Sequence, residues 1–296
     1  MKKVGIMTDS HSGISKKEAE EREIRVLPMP FCVDGERCLE EVTMSREAFY
    51  EHLKRGADVS TSQPSPEDVM EMWDDMLTEF QEIVYMPISS GLSGSCQTAM
   101  MLSREKRYDG RVFVVDNGRV STPLHRSVLD ALELAEEGYG AADIRKMLED
   151  AREEMTIYIG VSTLEYLKKG GRIKPAVAAV GTVLNIKPIL QLGVGTLDIY
   201  QKCRKFSVAK KEMLKAMRHD METRFAEQWK NGELSLLAAS SASREETEEW
   251  VQEIQAEFPG MKVLCDNLSM GVSCHVGFGG LGVGCSCRPK RMRKQI

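Results

Sequence analysis

Short apolar runs alternate with stretches of helical periodicity through the first half of the chain. Val4 to Met7, Ile24 to Phe31, Ile83 to Ile88 and Val112 to Val115 are runs of strand length, with helical patterns between most of them. That alternation predicts a largely parallel sheet flanked by helices. The clearest helix opens at Ser65-Pro66-Glu67-Asp68, with a capping serine, proline at the first helical position and an acidic residue three after the cap. Val69, Trp73, Met76, Leu77 and Phe80 form its apolar stripe. A second helix carries Val128, Leu129, Leu132 and Ala135 and stops at Gly138, and a third runs from about Ala142 to Met155.

After Met155 the pattern shifts toward paired strands: Thr156 to Val161, Ile186 to Gln191, Thr196 to Tyr200, Leu234 to Ala239 and Met261 to Cys265. Amphipathic helices near 206–230 and 243–257 separate the later ones. The expected fold is α/β in two domains. Residues 1–155 form an N-terminal largely parallel sheet flanked by helices, and residues 156–296 form a C-terminal α+β domain. The absence of a Pro/Ser-rich linker implies that the two pack closely and share a cleft, a preferred place for a ligand.

Composition narrows the function classes. Hydrophobic content of 42% and charged content of 29% are those of an ordinary soluble globular protein. No apolar run approaches the roughly 20 residues of a membrane span. The stretch from Met1 to Ser10 returns to charge too soon for the apolar region of a signal peptide, so a cytoplasmic location is expected. The eight cysteines are scattered, which predicts reduced thiols rather than disulfides. Cys285-Ser286-Cys287 beside Cys274 and His275 raises zinc, but a C-x-C pair lacks the usual spacing and a second pair. No metal or cofactor is expected. A net charge of -5 and a pI near 5.7 argue against a nucleic-acid binder. The basic stretch from Arg288 to Lys294 reads as a solvated end, with peripheral contact to an anionic membrane surface as the most it offers.

The densest chemistry lies at Ser89-Ser90-Gly91-Leu92-Ser93-Gly94-Ser95, where an apolar run ends in hydroxyls and glycines. Ligands of open α/β sheets sit beyond the carboxyl ends of such strands. The helix from Gln97 to Leu102 follows, so the amides around Ser93 to Cys96 make a natural seat for an anion. Four other polar sites stand out: Thr8-Asp9-Ser10, Ser60-Thr61-Ser62-Gln63-Pro64, Gly170-Gly171-Arg172-Ile173-Lys174, and His275-Val276-Gly277-Phe278-Gly279-Gly280-Leu281-Gly282. Each also has a structural explanation, as a cap, a turn, a helix stop or a point of close backbone packing. Glycines at 277, 279 and 282 match G-x-G-x-x-G, but the 14 residues that follow leave no room for the helix and acidic residue of a dinucleotide site. No G-x-x-x-x-G-K-[ST] phosphate loop occurs. Ser93, His275 and Asp9 or Asp116 supply the residue types of a serine hydrolase, although G-x-S-x-G is absent.

Taken in order, Thr8-Asp9-Ser10, Ser60 to Ser65, Ser89 to Gly94, Val114-Val115-Asp116-Asn117, Gly170-Gly171-Arg172-Ile173 and His275-x-Gly resemble the DegV family of bacterial fatty-acid-binding proteins over nearly the full chain. The resemblance implies one long-chain fatty acid buried between two domains. Its carboxylate would be held by Thr61 and Ser93, with Ser62 and Gly94 alongside and Arg172 and His275 flanking it. It further implies an acyl-carrying subunit without catalytic residues of its own, whose carboxylate a separate ATP-binding fatty acid kinase subunit phosphorylates to an acyl phosphate for lipid synthesis. Lys202 and Arg204 would then lie near the phosphotransfer or partner surface. Val177, Val180, Val183, Leu184, Ile186, Ile189 and Phe278 are the expected tail-lining side chains. The chain departs from the family pattern in His-Val-Gly-Phe-Gly-Gly-Leu-Gly at 275–282, where H-T-G-P-G-A-L-G is usual. It departs again at Cys96, in place of a tyrosine, and at Pro123, Leu124, His125 and Arg126, in place of small residues.

Overall fold

The computed structural model describes residues 2–173, 186–193, 195 and 197–292. Through the first half the elements are β1 (Lys2–Asp9), α1 (Lys16–Glu21), β2 (Arg25–Leu27), β3 (Pro30–Val33), β4 (Glu36–Leu39), α2 (Arg46–Lys54), β5 (Val59–Thr61), α3 (Pro66–Glu79), β6 (Phe80–Met86), α4 (Ser95–Leu102), β7 (Val112–Val114), α5 (Ser121–Glu136) and α6 (Ala141–Asp150). The second half contributes β8 (Met155–Gly160), α7 (Glu165–Lys169), β9 (Lys187–Leu192), β10 (Leu197–Cys203), α8 (Phe206–Thr223), α9 (Ala226–Lys230), β11 (Leu234–Ser240), α10 (Arg244–Glu257), β12 (Val263–Asn267), α11 (Met270–Val276) and β13 (Leu281–Cys287).

The first apolar runs build a four-stranded parallel sheet in the order β2-β1-β6-β7. Helix α3 carries the capping box Ser65/Asp68 and buries Val69, Trp73 and Met76 against this sheet. The run from Ile24 to Phe31 is not one strand. Prolines at 28 and 30 cannot donate to a ladder, and the chain leaves the parallel sheet after Leu27 to enter a separate antiparallel sheet, β4-β3-β5. Strands β4 and β5 are too short to leave an alternation in the sequence.

The second sheet runs β10-β9-β8-β13-β11-β12, antiparallel except for the β11–β12 pair. Period-2 alternation sorts its side chains between two layers. Tyr158 and Ile189 face the core built with α8 and α10, where Met213, Met217, Trp250 and Ile254 are buried. Ile157, Ile159, Leu190 and Leu192 face the other side, toward Ile88 and Val120 of the first half. Strand β13 adds to the strands expected from the sequence, and its glycines allow close backbone packing: a Cβ on Gly284 would come within 2.5 Å of the Thr156 carbonyl oxygen of β8. The expected helix 206–230 is two, α8 and α9. The third helix stops at Asp150, and Met155 already belongs to β8. Cys285 and Cys287 lie in the apolar core of this sheet, and burial pushes the Cys287 thiol up to about 12, which disfavours the thiolate a metal needs. Among the described residues no cluster of His, Cys, Asp or Glu has the makings of a metal site, and no helix is long and apolar enough to cross a membrane.

Helix α5 lies between the sheets, packed on β1 and on β11, β12 and β13. It is therefore buried on more than the one expected stripe, and Ser127 and Asp130 are covered along with Leu124, Val128, Ala131 and Leu134. His125 sits between the halves, Nδ1 3.0 Å from Asp266 of β12 and Nε2 3.3 Å from Glu18 of α1. Burial lowers its pKa, but the two carboxylates outweigh it and the net shift is upward. Arg288, Lys290 and Arg291 of the basic C-terminal stretch are exposed and meet surface carboxylates: Arg291 pairs with Glu137 at 2.9 Å and Lys290 with Glu154 at 3.5 Å, while Tyr139 donates to the Met292 carbonyl at 2.9 Å.

Just before α5, Arg119 is only 1% exposed. It donates from Nη1 to Ser127 and Ser286 and from Nη2 to the Ala151 carbonyl, at 2.8, 2.8 and 2.9 Å. One guanidinium thus ties α5, β13 and the end of α6, and its burial lowers its pKa. Removing it strands three buried acceptors. Arg119→Ala should lower the unfolding free energy by about 3–5 kcal/mol, measured by chemical denaturation; a loss under about 1 kcal/mol, the size of one ordinary hydrogen bond, would show that this cation does not tie the layers.

Candidate functional site

Two buried side chains at the end of β1 set the position of the serine turn. Thr8 donates from Oγ1 to the Met86 carbonyl at 2.8 Å. Asp9, fully buried, accepts from the Ile88 amide at 2.8 Å and from the His11 amide at 3.0 Å. The chain leaving β6 is thereby pinned to the chain leaving β1. Beyond Ile88, the Ser89 amide donates to the Arg119 carbonyl at 2.9 Å, and the Ser90 amide donates to Asp116 at 3.2 Å while its hydroxyl bonds the same carboxylate. The motifs Thr8-Asp9 and Asp116 therefore act as struts, and the turn they hold presents Ser93 and Gly94 at the start of α4. Ser93 Oγ accepts from the Ser95 amide at 3.3 Å and lies 3.0 Å from the Ser95 hydroxyl. Glycine at 91 is required by close approach, since a Cβ there would meet the Gly195 carbonyl oxygen at 2.2 Å.

Three further segments close on this turn. Thr61 ends β5, and Gln63 just after it accepts from the Thr98 hydroxyl of α4 at 2.9 Å, drawing the two loops together. His275, in the last turn of α11, places Nε2 2.9 Å from Thr61 Oγ1. Arg172 follows α7 and donates to the Leu92 carbonyl at 3.2 Å and the Gly170 carbonyl at 2.6 Å, so its guanidinium is fixed against the serine turn. Gly170 itself is a contact surface: a Cβ there would stand 2.0 Å from His275 Nδ1.

These residues border one cavity of about 300 Å³. Thr61, Ser62, Ser93, Gly94, Arg172 and His275 all line it, so the structure brings together every residue expected at a head group. The remaining wall is mostly apolar and includes Ile88, Val120, Ile157, Ile159, Leu192 and Leu268. Ser93, Gly94 and Arg172 also border an adjoining recess of about 440 Å³ edged by Gly91, Gly171 and Gly195. Burial is the main cause, and the Arg172 charge a further one, that lowers the His275 pKa to about 4. The ring is therefore neutral near pH 7, a hydrogen-bonding partner for Thr61 rather than a second fixed cation.

Several expectations are corrected. Ser93 bonds Ser95 and His275 bonds Thr61, while Asp9 and Asp116 hold backbone amides and Ser90; no nucleophile, base and orienter line up, and the hydrolase alternative has no support. Ile189 points to the opposite face of its sheet from the cavity. Ile186 does not line it either. Phe278 packs on Tyr50 at 5.5 Å, with the Lys54 ammonium 4.5 Å from its ring. Val177, Val180, Val183 and Leu184 lie outside the described residues. Lys202 is exposed on the edge strand β10 and Arg204 is exposed just after it, and neither borders the cavity. The apolar wall residues Ile157, Ile159, Leu192 and Leu268 carry no signal in the sequence that marks them for the cavity, and two polar lining residues lie outside the expected set. His11 follows the Thr8-Asp9-Ser10 motif directly, and Ser121 sits where the apolar wall gives way to α5.

The architecture is that of a three-sheet α/β protein with an apolar cavity capped by hydroxyl-bearing loops. The chain belongs to the DegV family, matching the family described as "Uncharacterised protein, DegV family" over residues 3–287. Among curated relatives, a DegV domain-containing protein of Staphylococcus aureus is 32% identical over 69% of this chain and 72% of its own. One of Clostridium perfringens is 27% identical over 96% of this chain and 97% of its own. Among solved structures, a fatty-acid-binding DegV family protein from Thermus thermophilus superposes with a TM-score of 0.85 at 29% identity, covering 96% of this chain and 99% of that one. A stearic-acid-binding protein from Eubacterium ventriosum shares the fold, with a TM-score of 0.86 at 21% identity over 96% and 98% of the two chains.

The His275 environment can be read directly. In ligand-free protein its ring should titrate near 4, below the ordinary 6.5, and move upward when an anion occupies the cavity. NMR of isotope-labelled histidine follows both; a free-state value at or above 6.5 would contradict the buried, neutral ring. The folded value lies below the unfolded one, so as pH falls the unfolded chain takes this proton first. The stability contribution of His275 is complete above about 6.5 and is lost as pH falls toward about 4.

Proposed function

We propose that this chain binds a single long-chain fatty acid. Its carboxylate rests among Thr61, Ser62, Ser93, Gly94, Arg172 and His275, and its tail runs along the apolar wall. One observation carries the reading: a single cavity has hydroxyls, a fixed guanidinium and a neutral imidazole among its lining residues, with hydrocarbon over most of the rest. Fatty-acid binding in the Thermus thermophilus relative supports it. The energetics agree. A tail of roughly 14 methylenes at ~0.8 kcal/mol each supplies about 11 kcal/mol of transfer free energy, from which association and ordering subtract several kcal/mol. The head group then needs orientation and charge compensation, which hydroxyls, loop amides and the planar Arg172 fork provide.

In this reading the chain is a binding subunit with no catalytic residues of its own, divided at residues 155/156, with the C-terminal domain supplying much of the tail pocket. It acts in the cytoplasm, where its eight unpaired cysteines stay reduced. An ATP-binding kinase subunit docks over the head-group recess and transfers the γ-phosphoryl group to a carboxylate oxygen, with ADP leaving, and the acyl phosphate feeds phospholipid synthesis. Lys202 and Arg204 belong to the surface that meets the kinase.

Protein purified from a bacterial host should release a long-chain fatty acid on organic extraction, identified by mass spectrometry. Ser93→Ala and Thr61→Ala should each weaken retention of that acid about ten- to a hundredfold, the worth of one hydrogen bond to a charged group. Clean extracts from folded protein, or unchanged retention in both variants, would overturn the assignment. The double variant Lys202→Ala/Arg204→Ala should bind the acid normally but slow ATP-dependent acyl phosphate formation with a kinase subunit; an unchanged rate would remove these two residues from the partner surface.

A further inference from the structure

The cavity wall carries two further buried polar side chains, one of which a plain hydrocarbon tail would leave without a partner. Ser121 is 4% exposed, its hydroxyl has no hydrogen-bond partner, and it lines the cavity. It also has a φ of +57°, in the left-handed region. The other described non-glycine residues with positive φ, Glu23, Asp34 and Glu41, are exposed turn or loop positions; Ser121 alone among them is buried. Such backbone strain persists only where the surroundings fix it, and here they do. The next residue, Thr122, donates from Oγ1 to the Ala238 carbonyl at 2.8 Å, which sets Ser121 beside Ala239 of the cavity wall.

The second group is His11, also buried and lining the cavity. It sits in the short turn Ser10–Ser12, which packs on α5. Its Nδ1 faces Asp9 at 3.5 Å, while Nε2 is directed at Gly271, a residue of the same cavity wall, where a Cβ would come within 2.5 Å. Gly271 thus makes room for the His11 ring, which fills the place a Cβ would take.

Building on the fatty-acid reading above, we propose that the preferred ligand is an oxygenated fatty acid, one whose chain bears a hydroxyl or keto oxygen within reach of Ser121. A buried hydroxyl left without a partner costs free energy that a matching oxygen on the chain restores. A site built to bond such a group discriminates against the analogue lacking it far more strongly than an apolar wall discriminates between alkyl chains. A hydroxyl suits Ser121, since it donates and accepts at once.

The test uses the full chain stripped of lipid and compares stearic acid with a series of hydroxystearic acids that differ in hydroxyl position. In the parent protein at least one isomer should bind about tenfold more tightly than stearic acid, and in Ser121→Ala that preference should fall to about twofold or less while stearic acid binds as before. Ser121→Gly removes the same hydroxyl and relieves the positive φ, so it serves if the alanine variant folds poorly. The proposal is overturned if no isomer outcompetes stearic acid in the parent, or if the preference survives loss of the Ser121 hydroxyl. Failure of every acid, stearic acid included, to bind would instead bring down the fatty-acid reading on which this proposal rests.

Discussion

The buried carboxylate of Asp9 is the constraint on which the site depends. It stands at the end of β1 with no exposure to solvent and accepts from the amides of Ile88 and His11. A carboxylate buried at that depth is stable only while its lone pairs are occupied. The bonds it makes hold the chain leaving β6 against the chain leaving β1, and the serine turn hangs from that junction. With Thr8 bonded to the Met86 carbonyl and Asp116 to Ser90, the strand ends form a rigid frame. The flexible hydroxyls of Ser93 and Thr61 need that frame, because small polar side chains position a ligand only as well as their backbone is positioned.

The second half of the molecule supplies a wall and a lid to this frame. Alternation in β8 and β9 sends Ile157, Ile159, Leu190 and Leu192 to one face, against Ile88 and Val120 from the first half. The cavity therefore lies between two sheets whose relative position is fixed by α5, by the buried Arg119 and by His125 between Glu18 and Asp266. Arg172 and His275 come from the same second half and close over the serine turn and Thr61. A low dielectric keeps His275 neutral, so the charge at that end of the cavity is set by Arg172 and by whatever anion enters.

Much of the frame was legible from the chain itself. The capping box at Ser65, the apolar stripe of α3 and the parallel strands of the first half were readable, because caps and periodicity are local properties, whereas Thr61, Ser62, Ser93, Gly94, Arg172 and His275, which line one cavity, were singled out together only through the family resemblance. Failures occurred where a residue's role depends on a remote neighbour. Strand β13 left no signal because nothing near Gly282 and Gly284 in the chain reveals that they are flanked by two strands. Ile189 looked like a cavity residue because the sequence gives alternation without saying which face meets which layer. Arg288, Lys290 and Arg291 are exposed, but their pairing with Glu133, Glu137 and Glu154, more than a hundred residues earlier in the chain, left no local trace.

The amino-acid sequence by itself determined the order of elements, their caps, the hydroxyl and glycine loops and membership of the DegV family. Tertiary structure alone decided that Asp9 and Asp116 are struts, that Gly170 makes room for the His275 ring, and that Ser121 and His11 interrupt an apolar wall. The division has one physical cause. Backbone preference and amphipathic spacing act between residues a few positions apart, whereas burial, desolvation and the satisfaction of buried polar groups are fixed by contacts across more than a hundred residues of chain, as between Thr61 and His275.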